Sequence, residues 1–223
     1  MAKLKLIIVG AQGRMGTRIA DLASQDPTLE VAARLDIGSN AGEMEKGNAV
    51  IDFSQADASL PYLEEAVRLR KVYVLGTTGF SKDQEKVIQK AAKSIAIVRS
   101  SNMSMGVNVF FRVAQEIAKT LPNYKVHIQE KHHVHKKDSP SGTALQAGGL
   151  IEKASKQKVT YESFREGEVV GDHRILFKGP SDSIELFHHA ESRDIFAAGA
   201  IQAAKWVAKK KPGFYTMQDV LGL

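Results

Sequence analysis

Residues 4–16 read LKLIIVGAQGRMG, and this stretch decides the fold. Its first part, Leu4 to Val9, is a short apolar run that ends at a glycine, which is typical of a buried parallel strand. Beyond the glycines, Ile19 and Ala23 recur at helical spacing. The stretch therefore predicts a strand, a glycine turn and a helix in direct succession.

The glycine turn, residues 10–16, carries Gly10, Gly13 and Gly16. Without side chains, its backbone can approach a pyrophosphate, and the N-terminus of the following helix attracts the phosphate charge. The pattern departs from G-x-G-x-x-G because Gln12 stands where the second glycine is usual. A turn kept only for packing is the alternative. The aspartate at position 36, about 20 residues further on and at the end of the next predicted strand, favours a dinucleotide site.

Asp36 also bears on which nucleotide binds. Its carboxylate would accept hydrogen bonds from the adenine ribose hydroxyls and would repel a ribose phosphate, which tilts the choice slightly toward NADH. Arg14 and Arg34 could still reach a phosphate, so NADPH stays open.

Strands and helices continue to alternate as far as residue 98, which predicts a parallel sheet with helices on both faces, joined by right-handed crossovers. The segment between Asp36 and Ala49 is so short that the crossover helix expected there is reduced to a turn or lost. Further strands are predicted at Leu29–Leu35, Ala49–Phe53, Val72–Leu75 and Ile95–Val98, with helices at Ala56–Leu69 and from a Ser81 cap to Ala92.

After a long amphipathic helix, Met103 to Leu121, the pattern changes to strands with little helix between them, which predicts a mostly antiparallel second domain. A helix from Asp194 to Lys210 and the apolar tail Phe214–Leu223 return to the first domain. The predicted fold class is α/β: a Rossmann-like doubly wound parallel sheet plus a second α+β domain. The predicted domains are residues 1–103 with 194–223, and residues 104–193. The second-domain elements are strands at Lys125–Glu130, Val159–Phe164, His173–Lys178 and Ser183–His189, and a helix at Gly142–Lys153.

Composition narrows the class of partner. Of 223 residues, 43% are hydrophobic and 25% charged, as in ordinary globular proteins. Lys and Arg outnumber Asp and Glu by 31 to 25, which favours anionic partners. The absence of cysteine excludes disulfides, thiolate chemistry and Cys-based zinc sites. The first apolar run is too short for a membrane span and lacks a signal-cleavage pattern, so we expect a soluble cytoplasmic protein.

A basic segment, residues 130–143, reads EKHHVHKKDSPSGT and holds three histidines and three lysines beside a predicted helix start. Histidine can donate a proton near neutral pH, and lysine supplies fixed charge and a second proton source. Helix N-terminal N–H groups bind anions. The segment therefore predicts a site for an anion that must be protonated. Interleaved lysines disfavour a metal site, and a solvated basic loop is the alternative. We expect packing or surface roles for the histidines at positions 127, 173, 188 and 189.

Two further segments lie at the carboxyl edge of the predicted parallel sheet, where such sheets bind ligands. Gly76-Thr77-Thr78-Gly79 would let a flat ring approach the backbone and would orient it through hydroxyls. Residues 100–103, Ser-Ser-Asn-Met, are expected to connect the domains and line the cleft.

Together these motifs resemble one family, the dihydrodipicolinate reductases of lysine and diaminopimelate biosynthesis. Such enzymes transfer a hydride from NAD(P)H to the cyclic imine dicarboxylate dihydrodipicolinate, formed from 4-hydroxy-tetrahydrodipicolinate, and give tetrahydrodipicolinate. The chain is short for the family after Asp36 and before Arg165. The matching stretches are residues 9–16, 52–54, 76–80, 102–108, 130–143, 165–167, 170–173 and 213–221.

The resemblance implies roles for individual residues. His132 would be the proton donor or its organiser, Lys136 a second acid and charge partner, and His133, Gly142 and Thr143 the substrate carboxylate contacts. It also implies a homotetramer joined through the second domain. The second domain would bind the substrate, and the first domain would bind the dinucleotide. The implied cofactor contacts are Gly10, Arg14, Met15, Asp36, Gly76, Thr77, Thr78, Ser100, Ser101, Asn102 and Met103. Gly13 and Gly16 of the glycine turn complete the predicted cofactor site.

Two other interpretations remain open on sequence grounds. The basic segment could bind nucleic-acid phosphate, but its lysines alternate with histidines rather than aromatic residues. The chain could also be a two-domain nicotinamide oxidoreductase for another small amino acid or semialdehyde. A membrane partner is not expected.

Overall fold

A computed structural model describes residues 2–223. The chain folds into two compact units. Unit 1 comprises residues 2–105 with Asp194–Leu223, and unit 2 comprises Gly106–Arg193. In chain order the elements are β1 Leu4–Val9, α1 Arg14–Ser24, β2 Leu29–Leu35, a 3-10 helix Ala41–Lys46, β3 Ala49–Asp52, α2 Ala56–Arg68, β4 Val72–Leu75, α3 Lys82–Ala91, β5 Ala96–Arg99, α4 Met105–Thr120, β6 Lys125–His132, α5 Gly142–Ser155, β7 Val159–Arg165, β8 Asp172–Lys178, β9 Ser183–His189, α6 Asp194–Val207, β10 Gly213–Tyr215 and α7 Met217–Leu221.

Within the described residues, unit 1 is built on a six-stranded sheet in the order β10-β5-β4-β3-β1-β2, and every pairing in it is parallel. The predicted Rossmann-like sheet is confirmed. Val9 lies opposite Asp52, and Asp52 lies opposite Leu75, so β1, β3 and β4 end at one edge. The chain order reverses between β1 and β3, and this reversal marks the ligand crevice in sheets of this kind.

The strands of unit 1 are apolar almost throughout because helices cover both faces of the sheet. Alternate residues of β1 point to opposite sides: Leu6 and Ile8 pack with α1, α6 and α7, while Ile7 and Val9 pack with α2 and α3. The short segment after β2 forms only a 3-10 helix, whose Met44 is fully buried. The expectation that no full crossover helix fits there is confirmed.

Helix α6 returns the chain to unit 1. The Arg18 guanidinium in α1 donates to both carboxylate oxygens of Asp194 at 2.8 and 2.7 Å. A Cβ on Gly199 would lie 1.8 Å from the Met103 carbonyl oxygen, so close packing requires glycine there. Strand β10 then pairs with β5, as Gly213 opposite Ala96.

Within the described residues, unit 2 has a four-stranded sheet in the order β7-β6-β8-β9. Strand β6 pairs antiparallel with β8, and β8 with β9, which agrees with the mostly antiparallel sheet predicted. The β6–β7 pair is parallel because α5 carries the chain back across one face. Helices α4 and α5 cover that face. The opposite face carries Phe164 and Phe187, which are 41% and 55% exposed.

Helix α4 begins at Met105 rather than at Met103 as predicted. The Asn102 side chain accepts a hydrogen bond from Ser104 N–H at 2.9 Å, and this local contact stabilises non-helical backbone before the helix. None of the helices in residues 2–223 combines the length and apolar character that crossing a bilayer requires.

Candidate functional site

The glycine turn needs glycine at two positions for steric reasons. Gly10 has φ of +76°, and a Cβ there would lie 2.7 Å from the Phe53 carbonyl oxygen. A Cβ on Gly16 would lie 2.1 Å from the Gly10 carbonyl oxygen. Gly13 is the N-cap of α1 and has no side chain to occupy the helix start. This arrangement fits a pyrophosphate, which needs bare backbone and free helix N–H groups.

Asp36 is held against the glycine turn. Both of its carboxylate oxygens lie 3.2 Å from the Gln12 N–H, which donates to them. Its own N–H donates to the Ser39 hydroxyl at 2.9 Å, and the Tyr62 hydroxyl donates to its carbonyl at 2.6 Å. The carboxylate therefore has a fixed position at the end of β2, where a ribose hydroxyl is bound in sheets of this type.

Two other cofactor candidates occupy the first turn of α1. Arg14 is exposed, whereas Met15 is half-buried and packs against the core of unit 1. Of the pair, only Arg14 presents a long polar side chain to solvent beside the turn.

The loop after β4 lies at the same sheet edge. A Cβ on Gly76 would lie 2.4 Å from ring atoms of Phe53, so the ring packs directly against the backbone. Thr77 is 4% exposed, and its hydroxyl donates to Asp52 Oδ1 at 3.1 Å. Thr78 is exposed. Of the two threonine hydroxyls proposed to orient a ring, that of Thr77 is therefore turned inward.

Asp52 organises this loop, although the sequence marks it only as part of the matching stretch 52–54. It is fully buried and accepts hydrogen bonds from Ser54 N–H at 2.8 Å, from Tyr73 hydroxyl at 2.6 Å and from the Ser59 hydroxyl. Burial, with the adjacent Asp52 charge, raises the pKa of Tyr73 well above its ordinary value, so its hydroxyl remains a donor. These donors join the end of β3 to β4 and to α2.

Residues 100–103 form a tight turn after β5. The Ser100 hydroxyl donates to the Asn102 carbonyl at 2.7 Å and accepts from Asn102 N–H at 3.2 Å. Ser101 is exposed. The side chain of Met103 is 1% exposed within the hydrophobic core, so only its backbone is available to a ligand.

In unit 2, His132 ends β6 and belongs to a buried polar cluster. Its Nδ1 bonds to Glu130 Oε2, two residues earlier on the same face of the strand. Arg165, opposite His132 in β7, donates to both Glu130 oxygens at 3.1 and 2.9 Å. The Ser141 N–H, at the start of α5, donates to Glu130 Oε1 at 3.3 Å. Glu130 is 2% exposed, so its charge is buried and balanced within the cluster.

The cluster perturbs its own pKa values. Burial lowers the pKa of His132; the Glu130 carboxylate opposes this, while the positive charges of Lys136 and Arg165 add to it. For Glu130, burial acts to raise the pKa, but hydrogen bonds from Arg165, Ser163 and His132 outweigh it and lower the value. The resting pair is therefore a neutral imidazole beside an ionised carboxylate.

His173 lies directly against His132, with ring centroids 5.2 Å apart at an angle of 77°. Its Nε2 lies 3.2 Å from the Ser141 hydroxyl. Burial, followed by the charges of His132 and His188, lowers the pKa of His173 to about 3. The sequence indicated a packing role for His173, and its burial agrees, but its contact with His132 was not foreseen.

Lys136 lies in the turn after β6. Its Nζ is 2.8 Å from Asp138 Oδ1, and its side chain is 22% exposed. The other Asp138 oxygen accepts from Gly142 N–H at 3.3 Å, so the same carboxylate contacts both the lysine and the first residue of α5. Thr143 follows in the first turn and is half-buried. The structure thus brings Lys136 and the α5 N-terminus together.

His133 and His135 differ from His132. His133 is half-buried, and its Nε2 lies 3.5 Å from Arg193 Nη2. His135 is exposed. Among residues 2–223 there is no group of three or more His, Cys, Asp or Glu side chains placed to hold a metal ion.

Comparison with known proteins identifies the family. A sequence model described as "Dihydrodipicolinate reductase, N-terminus" matches residues 4–103, and one described as "Dihydrodipicolinate reductase, C-terminus" matches residues 106–221. The chain belongs to the dihydrodipicolinate reductase family. Members are oxidoreductases of diaminopimelate and lysine biosynthesis that use a pyridine nucleotide.

Relatives extend over the full length of this dihydrodipicolinate reductase family member. The 4-hydroxy-tetrahydrodipicolinate reductase of Syntrophus aciditrophicus is 37% identical, covering 98% of each chain. That of Aquifex aeolicus is 38% identical, covering 99% of each chain. Dipicolinate-bound dihydrodipicolinate reductase from Paenisporosarcina sp. TG-14 shares the fold, with a TM-score of 0.86 at 18% identity over 97% of this chain and 98% of that one.

Proposed function

We propose that this protein is the reductase that transfers a hydride from NAD(P)H to dihydrodipicolinate, formed from 4-hydroxy-tetrahydrodipicolinate, and yields tetrahydrodipicolinate. The observation that carries the proposal is the cluster in unit 2. There a buried, neutral His132 bonded to Glu130 stands at the end of β6, and Lys136 and the α5 N-terminus share Asp138. Full-length family membership supports the same reaction.

Residues 1–103 with 194–223 are proposed to bind the nucleotide. Gly10, Gly13 and Gly16 leave room for the pyrophosphate, and the exposed Arg14 adds positive charge beside it. When bound, the nicotinamide supplies the hydride. The proposed ring contacts are the backbone and exposed hydroxyls of residues 76–78 and 100–103, and Met15 packs behind the turn.

NADH is the proposed preferred nucleotide. The fixed Asp36 carboxylate can accept hydrogen bonds from both ribose hydroxyls and would repel a 2′-phosphate. Replacing Asp36 with Ala should therefore raise the KM for NADH and lower that for NADPH. Glu43→Ala, which removes a half-buried carboxylate of the following 3-10 helix that pairs with Lys46, is the control. If Asp36→Ala changed the KM values for NADH and NADPH no more than Glu43→Ala does, the proposed contact between Asp36 and the ribose would be contradicted.

Residues 104–193 are proposed to bind the dicarboxylate. The N–H groups of Gly142 and Thr143 lie at the start of α5, where a helix favours binding of an anion. Lys136 would supply positive charge and His133 a hydrogen-bond donor. A substrate carboxylate would compete with Asp138 for Lys136 and Gly142, because Asp138 contacts both. In the absence of substrate, Asp138 would keep the Lys136 ammonium and the Gly142 N–H in position for the substrate carboxylate. The dipicolinate-bound solved relative supports a ligand of this class.

His132 is proposed to deliver the proton that the reduced substrate must take up. Its Nδ1 faces Glu130, so its Nε2 is the atom that can transfer a proton. A neutral imidazole with Nδ1–H has no proton on Nε2. A bound dianion favours the protonated form by raising the pKa of His132, and this readies the donor. Lys136 stabilises the developing negative charge and is a second acid.

A homotetramer joined through unit 2 sheets is also proposed. The open sheet face of β6 to β9 combines exposed Phe164 and Phe187 with charged residues of both signs, including Lys131, Arg174 and Asp172. Exposed aromatic side chains on a sheet face are typical of a surface covered in an assembly. Sedimentation of the purified protein tests the assembly number.

The test of the reaction is oxidation of NADH and NADPH, followed by absorbance, with freshly made product of the preceding synthase. His132→Gln should lower kcat by about 10²- to 10⁴-fold with little change in KM, the scale for losing a general acid. Lys136→Met should lower kcat and raise KM, because the lysine is both a charge contact and a donor. The control is His135→Gln, which removes an exposed imidazole of the same segment.

An unchanged kcat in His132→Gln would remove His132 from the mechanism. If only KM changed in Lys136→Met, the lysine would be a binding residue alone. Absence of nucleotide oxidation by the wild-type protein would refute the proposed reaction.

A further inference from the structure

We infer that Glu130 and Arg165 are a pair of positioning residues that act on the donor His132 with opposite sign: Glu130 favours its protonated form and fixes which nitrogen faces the substrate, whereas Arg165 restrains protonation and holds the surrounding turn. This rests on the proposed function of His132 and extends it to two residues that act through His132.

The first step is the hydrogen-bond accounting around Glu130. Its Oε2 bonds to His132 Nδ1 and to Arg165 Nη1 at 3.1 Å. Its Oε1 accepts from Arg165 Nη2 at 2.9 Å and from Ser141 N–H at 3.3 Å. An ionised carboxylate only accepts hydrogen bonds, so His132 must donate from Nδ1. The Nε2 of His132 is thereby kept for another partner.

The second step is the reach of Arg165. Its Nε donates to the Lys136 carbonyl at 3.3 Å, and its Nη2 donates to the Asp138 carbonyl at 2.6 Å. One guanidinium therefore joins Glu130 to the backbone of the turn that carries Lys136. Because guanidinium is planar with donors in a fixed fork, the turn and the carboxylate are held in one geometry.

The third step is the charge around His132. Glu130 faces it from its own strand, Arg165 from β7, His173 from β8 and Lys136 from the following turn. Of these, only Glu130 is negative. Arg165 and Lys136, which carry positive charge beside His132, disfavour a proton on its ring. Glu130→Gln should therefore lower the pKa of His132, and Arg165→Met should raise it.

The opposite signs are the signature of this arrangement. If Glu130 and Arg165 merely stabilised the fold, both substitutions would weaken activity without moving the pKa of His132 in opposite directions. Since an acid must be protonated to act, the falling limb of kcat with rising pH should move to lower pH in Glu130→Gln and to higher pH in Arg165→Met. Each shift should be about one pH unit or more.

The experiment measures His132 directly by histidine side-chain 15N NMR in the wild-type protein, Glu130→Gln, Arg165→Met and a Glu116→Gln control. Glu116 is an exposed carboxylate of α4 that pairs with Arg112. The wild type should show neutral His132 with its proton on Nδ1. The two variants should shift its pKa in opposite directions, and the control should leave it unchanged.

Kinetics with the dicarboxylate substrate provide the second readout. Glu130→Gln should lower kcat on the order of 10- to 100-fold, as expected for removing the carboxylate that orients a histidine. Arg165→Met should mainly raise KM, because the turn that carries Lys136 is released. A neutral His132 protonated on Nε2 in the wild type, or shifts of the same sign in both variants, would overturn the inference.

The two proposals fail separately. Wild-type protein without reductase activity refutes the proposed function, while the NMR result still decides the positioning of His132. If Glu130→Gln does not fold, the wild-type tautomer and the shift in Arg165→Met remain decisive.

Discussion

The buried imidazole of His173 should make unit 2 lose stability as the pH falls. His173 is 5% exposed, and its ring packs against His132. Its Nδ1 is buried and bonds to no other group among residues 2–223. A proton on this ring would place a charge in a site that already has Arg165 and Lys136 close to its neighbour His132. The perturbation that isolates this effect is His173→Gln.

The size of the effect follows from the pKa difference. In the folded protein burial lowers the pKa of His173 to about 3, against an ordinary value of 6.5. Between these values the unfolded chain binds a proton at this position and the folded chain does not, so stability falls as pH falls. Integrating the proton difference from about pH 7 to about pH 5 gives a loss of about 2 kcal/mol from this group.

The assay is urea unfolding followed by circular dichroism at the two pH values and one protein concentration. Wild type should lose about 2 kcal/mol more free energy of unfolding than His173→Gln over this range. The comparison uses the change with pH, so a constant destabilisation by the substitution does not affect it. His135→Gln, the exposed-imidazole control, should follow the wild type. Equal losses in wild type and His173→Gln would refute the reasoning.

Three other substitutions have defined outcomes. Gly16→Ala should weaken NADH binding at least about tenfold in a fluorescence titration, because its Cβ would lie 2.1 Å from a turn carbonyl; Gly149→Ala, where a Cβ meets nothing within 4 Å, should bind normally. Ser141→Ala removes the side-chain cap of α5 and should cost about 1 kcal/mol in urea unfolding, and an unchanged midpoint would contradict the capping role. Phe187→Asp should dissociate the proposed tetramer in sedimentation, and an unchanged mass would exclude this sheet face as the interface.

Much of unit 1 could be predicted from sequence because its signals are local. A strand buried on both faces must be apolar at successive positions, as in Leu4–Val9. A close backbone approach requires glycine, as at Gly10 and Gly16. Ser81 caps α3 as predicted. Gln84 follows three residues later, which is the spacing of a capping box, and the two residues form these reciprocal bonds.

The polar contacts of unit 2 could not be predicted because they depend on strand register. Glu130 and His132 share a face of β6, which the two-residue period allows one to foresee. That Arg165 lies opposite His132, and His173 opposite Glu130, depends on pairings between distant parts of the chain. Histidines in a basic segment indicated proton chemistry, but the partners of His132 appear only once β7 and β8 flank β6.

The direction of individual side chains was likewise beyond the sequence. Thr77 and Thr78 are adjacent and chemically identical, yet one hydroxyl is turned to Asp52 and the other side chain is exposed. Met103 follows polar residues in a loop, but its side chain enters the core. Alternation along the backbone and the position of a buried acceptor decide these cases.

The interrupted course of unit 1 has a consequence for the order in which the newly made chain can fold. Unit 2 is continuous, so all of its strands are available once residue 193 has been synthesised. Unit 1 must wait for α6 to cover its sheet, for Asp194 to reach Arg18 and for β10 to join β5. Until then, the part of one sheet face that α6 and α7 cover and the β5 edge are unprotected in the nascent chain. Aggregation during synthesis should therefore arise from the half of the protein that the ribosome begins first.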